Sequence, residues 1–280
     1  MDHFQRGGLT FDLRDGGPVD GEPVLLLHGF PQDSSSWSAV EPLLHAAGLR
    51  TLAPDQRGYS PGARPPRPAD YRVVELVGDI LALLDAADLP SAHIVGHDWG
   101  GVIAWQLADR YPERVRSLTV LSTPHPRALQ AAMRSGKQAL KSWYILFFQL
   151  PVVPEFVLAR TLERLLLRSG LPAEFAVHNA RRMREPGALT GALNWYRALR
   201  VRSPRPHPTA PTTTSVRTIT VPTTYIWGRH DAFLGATAAH QTAHHVTAPY
   251  RFEELNASHW LPETHPAEVA TLIIERLRTP

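Results

Sequence analysis

Two spacings of apolar residues alternate along this chain. Strand-like runs recur at Leu9 to Leu13, Pro23 to His28, Arg50 to Ala53, His93 to Val95, Ser117 to Leu121, Thr223 to Trp227 and Arg251 to Leu255. Between most of them, apolar positions fall at the three- and four-residue spacing of a helix face: Ser36 to Ala47, Tyr71 to Ala87, Trp99 to Tyr111, Ala236 to His245 and His265 to Arg278. Such alternation predicts an α/β protein whose sheet is mostly parallel.

The alternation breaks between about Pro126 and Pro222. Only helical spacing is found there, at Ala128 to Met133, Lys137 to Gln149, Glu155 to Arg168, Ala173 to Met183 and Leu189 to Leu199. The stretch Val201 to Thr220 is crowded with Pro, Thr and Ser and reads as an irregular return to the sheet. Ligands of open α/β sheets bind beyond the carboxyl ends of the strands, so a helical insertion leaving a strand end would cover that site as a cap. The expected division is a core of residues 1–125 and 222–280, with residues 126–221 as helical cap and return loop.

Length and composition narrow the class. A chain of 280 residues can bury a substantial core. No apolar run reaches membrane-spanning length, and Met1 to Arg6 has no signal-type hydrophobic segment, so no membrane partner and a cytoplasmic location are expected. The net charge of +3 is small, and Lys137 and Lys141 are the only lysines. Arg181, Arg182 and Arg184 cluster without aromatic interleaving and read as a solvated helix face, so no nucleic-acid partner is expected. The absence of cysteine excludes disulfides, thiol nucleophiles and thiolate metal sites. His240 and His244 have the one-turn spacing of a metal pair, but Gln241 stands where a zinc-protease helix carries glutamate. A surface helix is expected there, with no metal and no cofactor. No heptad or other association motif bears on the oligomeric state.

The chemistry is concentrated in Val95-Gly96-His97-Asp98-Trp99-Gly100-Gly101. A strand runs into a helix through a tight turn, the form of a nucleophile elbow, with Asp where serine hydrolases carry Ser. A carboxylate is suited to displacement at a saturated carbon bearing a leaving oxygen or halide, giving an alkyl ester that water must cleave. The turn forces the nucleophile into sparsely allowed backbone space, so its neighbours must be small, as Gly96 and Gly100 are. It also sets Asp98 at a helix N-terminus, where unpaired N–H groups favour negative charge. His97 is expected to face away from the nucleophile.

With these residues in view, the chain resembles the α/β-hydrolase superfamily, and within it the epoxide hydrolases, over essentially its full length. Leu26-Leu27-His28-Gly29-Phe30-Pro31 is similar to the family's His-Gly-x-Pro segment. The resemblance implies an oxyanion hole formed by the backbone N–H groups of Phe30 and Trp99, two donors converging on a tetrahedral intermediate. Asp55-Gln56-Arg57-Gly58-Tyr59-Ser60 resembles a family loop in which Arg57 ties segments together. Trp227-Gly228-Arg229-His230-Asp231 and Ala257-Ser258-His259-Trp260 complete the family order of nucleophile, acid and histidine. In that order Asp231 orients His259, which activates water.

Two segments of the helical interval bear on substrate. Ser142-Trp143-Tyr144-Ile145-Leu146-Phe147-Phe148-Gln149 and Leu193-Asn194-Trp195-Tyr196-Arg197 resemble the epoxide hydrolase segments that carry the two pocket tyrosines. Two phenols can polarise an oxirane and donate to the alkoxide at neutral pH. The catalytic set implied is Asp98, Asp231, His259, Tyr144 and Tyr196, with Trp99 as a further substrate contact and a small apolar epoxide as substrate. A haloalkane dehalogenase would share the nucleophile, the Asp/His pair and Trp99 but not the tyrosine pair. Fluoroacetate dehalogenases carry arginine after the nucleophile, where this chain has Trp99. A non-catalytic ligand receptor on the same fold is the third reading.

Overall fold

The computed structural model describes residues 1–134, 137–201 and 218–279. Eight strands form one sheet: β1 (His3–Arg6), β2 (Leu9–Gly16), β3 (Glu22–Leu27), β4 (Leu49–Pro54), β5 (Ala92–His97), β6 (Val115–Leu121), β7 (Thr223–Gly228) and β8 (Tyr250–Leu255). Their order is β1-β2-β4-β3-β5-β6-β7-β8. Strands β4 to β8 and β3 pair in parallel, and β1 and β2 add an antiparallel edge. This is the expected mostly parallel α/β sheet.

Period-two alternation builds two cores from each central strand. In β3, Leu25 and Leu27 face one apolar cluster, and Val24 and Leu26 face the other. The first cluster receives α2 (Val73–Ala86, after α1, Glu41–Ala46) and α3 (Trp99–Arg110). The second contains Trp37 and Leu44 and is closed by Val269, Leu272 and Ile273 from the C-terminal end of the chain.

Between β6 and β7 the described residues contain six helices, α4 (Pro126–Arg134), α5 (Lys137–Lys141), α6 (Trp143–Phe147), α7 (Val153–Arg168), α8 (Ala173–Arg182) and α9 (Ala188–Ala198), and, at Ile219, an isolated bridge to Val246. Three shorter or later elements complete the core: α10 (Ala236–Gln241), α11 (Leu261–Thr264) and α12 (Pro266–Arg278). No helix among the described residues is long and apolar enough to cross a membrane. Most of the expected return connection, residues 202–217, lies outside the described residues.

Several elements differ from expectation for identifiable reasons. Strand β1 precedes the first expected run; it pairs with β2 across Gly7-Gly8, both at positive φ, and stacks Phe4 on Phe11 at 4.7 Å. A Gly-Gly pair between short alternating runs is a hairpin signal. The expected helix from Ser36 to Ala47 is a 3-10 turn at Ser34–Trp37 followed by α1, because Pro42 has no N–H to give and fits only a helix's first turn. The expected single helix from Lys137 to Gln149 is broken at Ser142 into α5 and α6. There, Gln138 bonds the Phe233 carbonyl and the Gly235 N–H, and Lys141 reaches the Asp231 carbonyl at 2.7 Å. These ties fix the direction of α5, and the chain turns after it so that Tyr144 and Phe148 can join a cluster of rings.

Candidate active site

The carboxyl ends of β3, β5, β7 and β8 converge. β5 ends at His97, and Asp98 then adopts φ 49°, ψ −118° as the residue preceding α3. That backbone is sparsely allowed for a residue with a side chain, and the surrounding chain over-determines it. A Cβ on Gly100 would stand 2.1 Å from the Leu27 carbonyl oxygen, one on Gly96 2.4 Å from that of Gly100, and one on Gly29 2.3 Å from Asp98 Cβ. Thr123 Oγ1 donates to the Asp98 carbonyl at 2.7 Å and closes the turn.

The Asp98 carboxylate is held from two sides. The Phe30 N–H donates to Oδ1 at 2.8 Å, and His259 Nε2 lies 3.6 Å from Oδ2. Trp99 opens α3, where first-turn N–H groups have no partner within the helix. Burial would raise the Asp98 pKa, but His259 and the Phe30 N–H outweigh it and hold the carboxyl below its ordinary range.

His259 follows β8, with Nδ1 2.7 Å from Asp231 Oδ2. The Asp231 side chain is completely buried, and its Oδ1 accepts the N–H groups of Phe233 and Leu234 at 2.7 and 2.9 Å. Both carboxylate oxygens are therefore engaged and the ring orientation of His259 is set. Burial pushes His259 down, yet Asp231 and Asp98 together raise it to about 10, which favours an imidazolium between two carboxylates.

Tyr144 and Tyr196 lie across this group. Tyr196 is buried and Tyr144 half-buried, their ring centroids 6.1 Å apart and nearly perpendicular. Phe30 and Trp99 pack edge-on against Tyr196 at 5.4 and 5.1 Å. Burial first, and then the charge of Asp98, push both phenols well above their ordinary value, so both stay protonated donors near one carboxylate. The structure thus brings together all seven residues singled out from sequence: Phe30, Asp98, Trp99, Tyr144, Tyr196, Asp231 and His259.

Neighbouring residues refine the picture. Arg57 clamps Asp79 through two bonds of 2.7 Å and donates to the Asp70 carbonyl, tying its loop to α2. His97 does not simply turn away. Its ring lies 4.8 Å from that of His259 and Nε2 is 2.8 Å from the His259 carbonyl oxygen. Arg182 is not a solvated charge either; it pairs with Asp33, Asp55 and Glu185, bringing α8 to the loops after β3 and β4. His240 is exposed and lies 3.8 Å from Glu254, and no three His, Asp or Glu side chains among the described residues converge as a metal site. Sequence reasoning passed over Gln32, which contacts His97 and Glu263. The available signal was its place two residues after Phe30.

Comparison with known proteins bears on this geometry. Residues 22–266 match the family model of the α/β hydrolase fold. The AB hydrolase superfamily protein YfhM of Bacillus subtilis is 38% identical, over 97% of this chain and 95% of its own. Epoxide hydrolase A of Mycobacterium tuberculosis is 33% identical, over 96% and 94% of the two chains. The chain belongs to the epoxide hydrolase family of α/β hydrolases. Within that family, the solved structure of a metagenomic epoxide hydrolase from a hot environment superposes with a TM-score of 0.85 at 29% identity, covering 99% of this chain and 98% of the other.

Proposed function

We propose that this protein converts a small apolar epoxide and water into a vicinal diol through an ester on Asp98. The observation that carries the reading is a carboxylate at the elbow, with a charged histidine below it and two phenols, one buried and one half-buried, above it. Asp98 attacks an oxirane carbon, the C–O bond breaks, and its electron pair passes to the ring oxygen, which Tyr144 and Tyr196 stabilise. That oxygen takes a proton through the tyrosines, with His259 as the source. Esterification removes the charge of Asp98, one of the two carboxylates holding the proton on His259, so the imidazole becomes neutral at the stage that needs a base.

His259 then takes a proton from water, and the hydroxide attacks the ester carbonyl. The N–H groups of Phe30 and Trp99 hold the resulting oxyanion. Collapse expels the diol and returns Asp98 as carboxylate and His259 as imidazolium. Residues 126–221 act in this reading as a cap over a core of residues 1–125 and 222–280, and contribute the two phenols. Haloalkane chemistry is disfavoured because a departing halide needs no proton, which leaves the phenol pair unexplained.

Isotope labelling tests the ester. In a single turnover in heavy-oxygen water, the diol should remain unlabelled while the solvent oxygen enters Asp98, and His259→Gln should accumulate alkyl-enzyme with a mass increase equal to the epoxide. Labelled diol in the first turnover would mean direct hydration and remove Asp98 from the nucleophile role.

A further inference from the structure

A line of buried polar side chains leads away from His259 and takes no part in the chemistry above. His97 sets Nε2 2.8 Å from the His259 carbonyl oxygen and Nδ1 2.9 Å from Gln32 Oε1. Gln32 Oε1 also accepts the Gly29 N–H at 3.2 Å, and its amide nitrogen donates to Glu263 Oε1 on α11. All three side chains are buried, and the second carboxyl oxygen of Glu263 has no hydrogen-bond partner among the described residues.

Counting protons exposes a constraint. Both atoms facing His97 are oxygens and both are acceptors, but a neutral imidazole has one N–H and one lone pair. Two arrangements satisfy it. His97 is an imidazolium donating both ways while Glu263 is a carboxylate, or the Gln32 amide is turned over. In the second case its NH2 group donates to neutral His97, and its oxygen accepts from a protonated Glu263 at the loss of the Gly29 contact. The two contain the same number of protons, so they are two places for one proton.

Burial pushes His97 down to about 4, with the charge of His259 adding to it, and burial pushes Glu263 up to about 7. The proton therefore rests on Glu263. Other charges facing the line are Asp98 after β5, Asp231 after β7 and His259 after β8. The Ser34–Trp37 turn against α11 carries no ionisable side chain, and Asp33 before it is engaged by His178 and Arg182. At the start of α12 stand His265, bonded to Thr264, and Glu268.

We infer that Glu263 is a positioning residue for His259: with Gln32 and His97 it retains one buried proton that lets His97 donate to the His259 carbonyl. Once that proton is lost, Glu263 holds the Gln32 amide nitrogen, the Gln32 oxygen draws the single proton of His97 to Nδ1, and the Nε2 lone pair opposes the His259 carbonyl. Ser122 Oγ, at 2.9 Å, and the Leu261 N–H, at 3.0 Å, still donate to that oxygen, now against the lone pair of Nε2. The kinetic consequence rests on the reading of His259 as the base of ester hydrolysis.

Glu263→Gln separates this role from simple packing, because the amide keeps the shape and can donate to Gln32 without a titrating proton. In the wild type, the ester-hydrolysis rate from single-turnover stopped flow should fall about tenfold as pH rises through about 7, whereas E263Q should stay on the acidic plateau. Nitrogen NMR of the His97 ring in substrate-free enzyme should show the proton moving from Nε2 to Nδ1 over the same range in the wild type and no change in E263Q. Ring signals that titrate alike in both proteins, or in neither, overturn the inference. Failure to turn over any epoxide, with the His97 change present in the wild type alone, supports the proton relay and counts against the catalytic reading instead.

Discussion

Asp98, Asp231 and His259 hang from strand ends, whereas Tyr144 and Tyr196 come from helices laid across them, and the two groups are secured differently. β5 and β7 are buried at every position, and Asp231 has no exposed side-chain surface. By contrast α6, which carries Tyr144, has no fully buried residue and leaves Trp143 and Leu146 more than 60% exposed. Backbone ladders and crowded glycines hold the lower group. The upper group is held by ring packing and by polar ties such as Lys141 to the Asp231 carbonyl, Gln149 to the Tyr196 carbonyl and Arg182 to Asp33 and Asp55. Chemistry and folding should therefore be separable on the helical side and inseparable at the elbow.

The sharpest way to break that contrast is Tyr144→Phe with Tyr196→Phe. Removing one donor to developing charge costs about 3 kcal/mol, so each single change should slow ring opening by about a hundredfold and the pair by about ten-thousandfold. The melting temperature should barely move, because neither phenol anchors the fold. Ring opening at the parental rate in the double variant, measured by burst kinetics, would remove both tyrosines from the mechanism.

Gly100→Ala probes the other side. Its new Cβ would meet the Leu27 carbonyl at 2.1 Å, where backbone and not a flexible side chain must give way. A stability loss of about 3 kcal/mol is expected in denaturant unfolding, with activity lost in parallel. A stable but inactive variant would show the elbow to be less essential to the fold than its crowding implies.

The smallest expected effect concerns the tie between α8 and the loop after β3. His178 bonds Asp33 at 2.8 Å, and this contact, ahead of the opposing effect of burial, raises the His178 pKa. A histidine raised in the folded state stabilises fully below its unfolded pKa, and that contribution is lost as pH rises through the folded value. The stability difference between wild type and His178→Gln should therefore be under about 1 kcal/mol in mildly acid solution and vanish in alkaline solution. Melting curves across that range check the sign; a difference that grows with pH contradicts it.

Much of the site is legible in the chain alone. Local patterns carry it: a strand running into a helix through small residues marks Asp98, and strands ending in Gly-Arg-His-Asp and Ala-Ser-His mark Asp231 and His259 in order. Turn chemistry and side-chain period are properties of neighbouring residues, so they survive in one dimension. The break between α5 and α6 was not legible, because the groups that set it belong to residues 231–235, about ninety positions away.

By itself, then, the sequence determined the alternation of strand and helix, the strained turn around Asp98 and the identity of the groups that meet there. Tertiary structure alone decided which polar groups became partners. Arg182 reads as a solvated charge until α8 is folded against Asp33 and Asp55, and Gln32 and Glu263 are 231 residues apart until α11 returns beneath the elbow. Buried polar groups must find partners wherever the chain happens to pass, and that path follows from packing of the whole sheet, which no local pattern records.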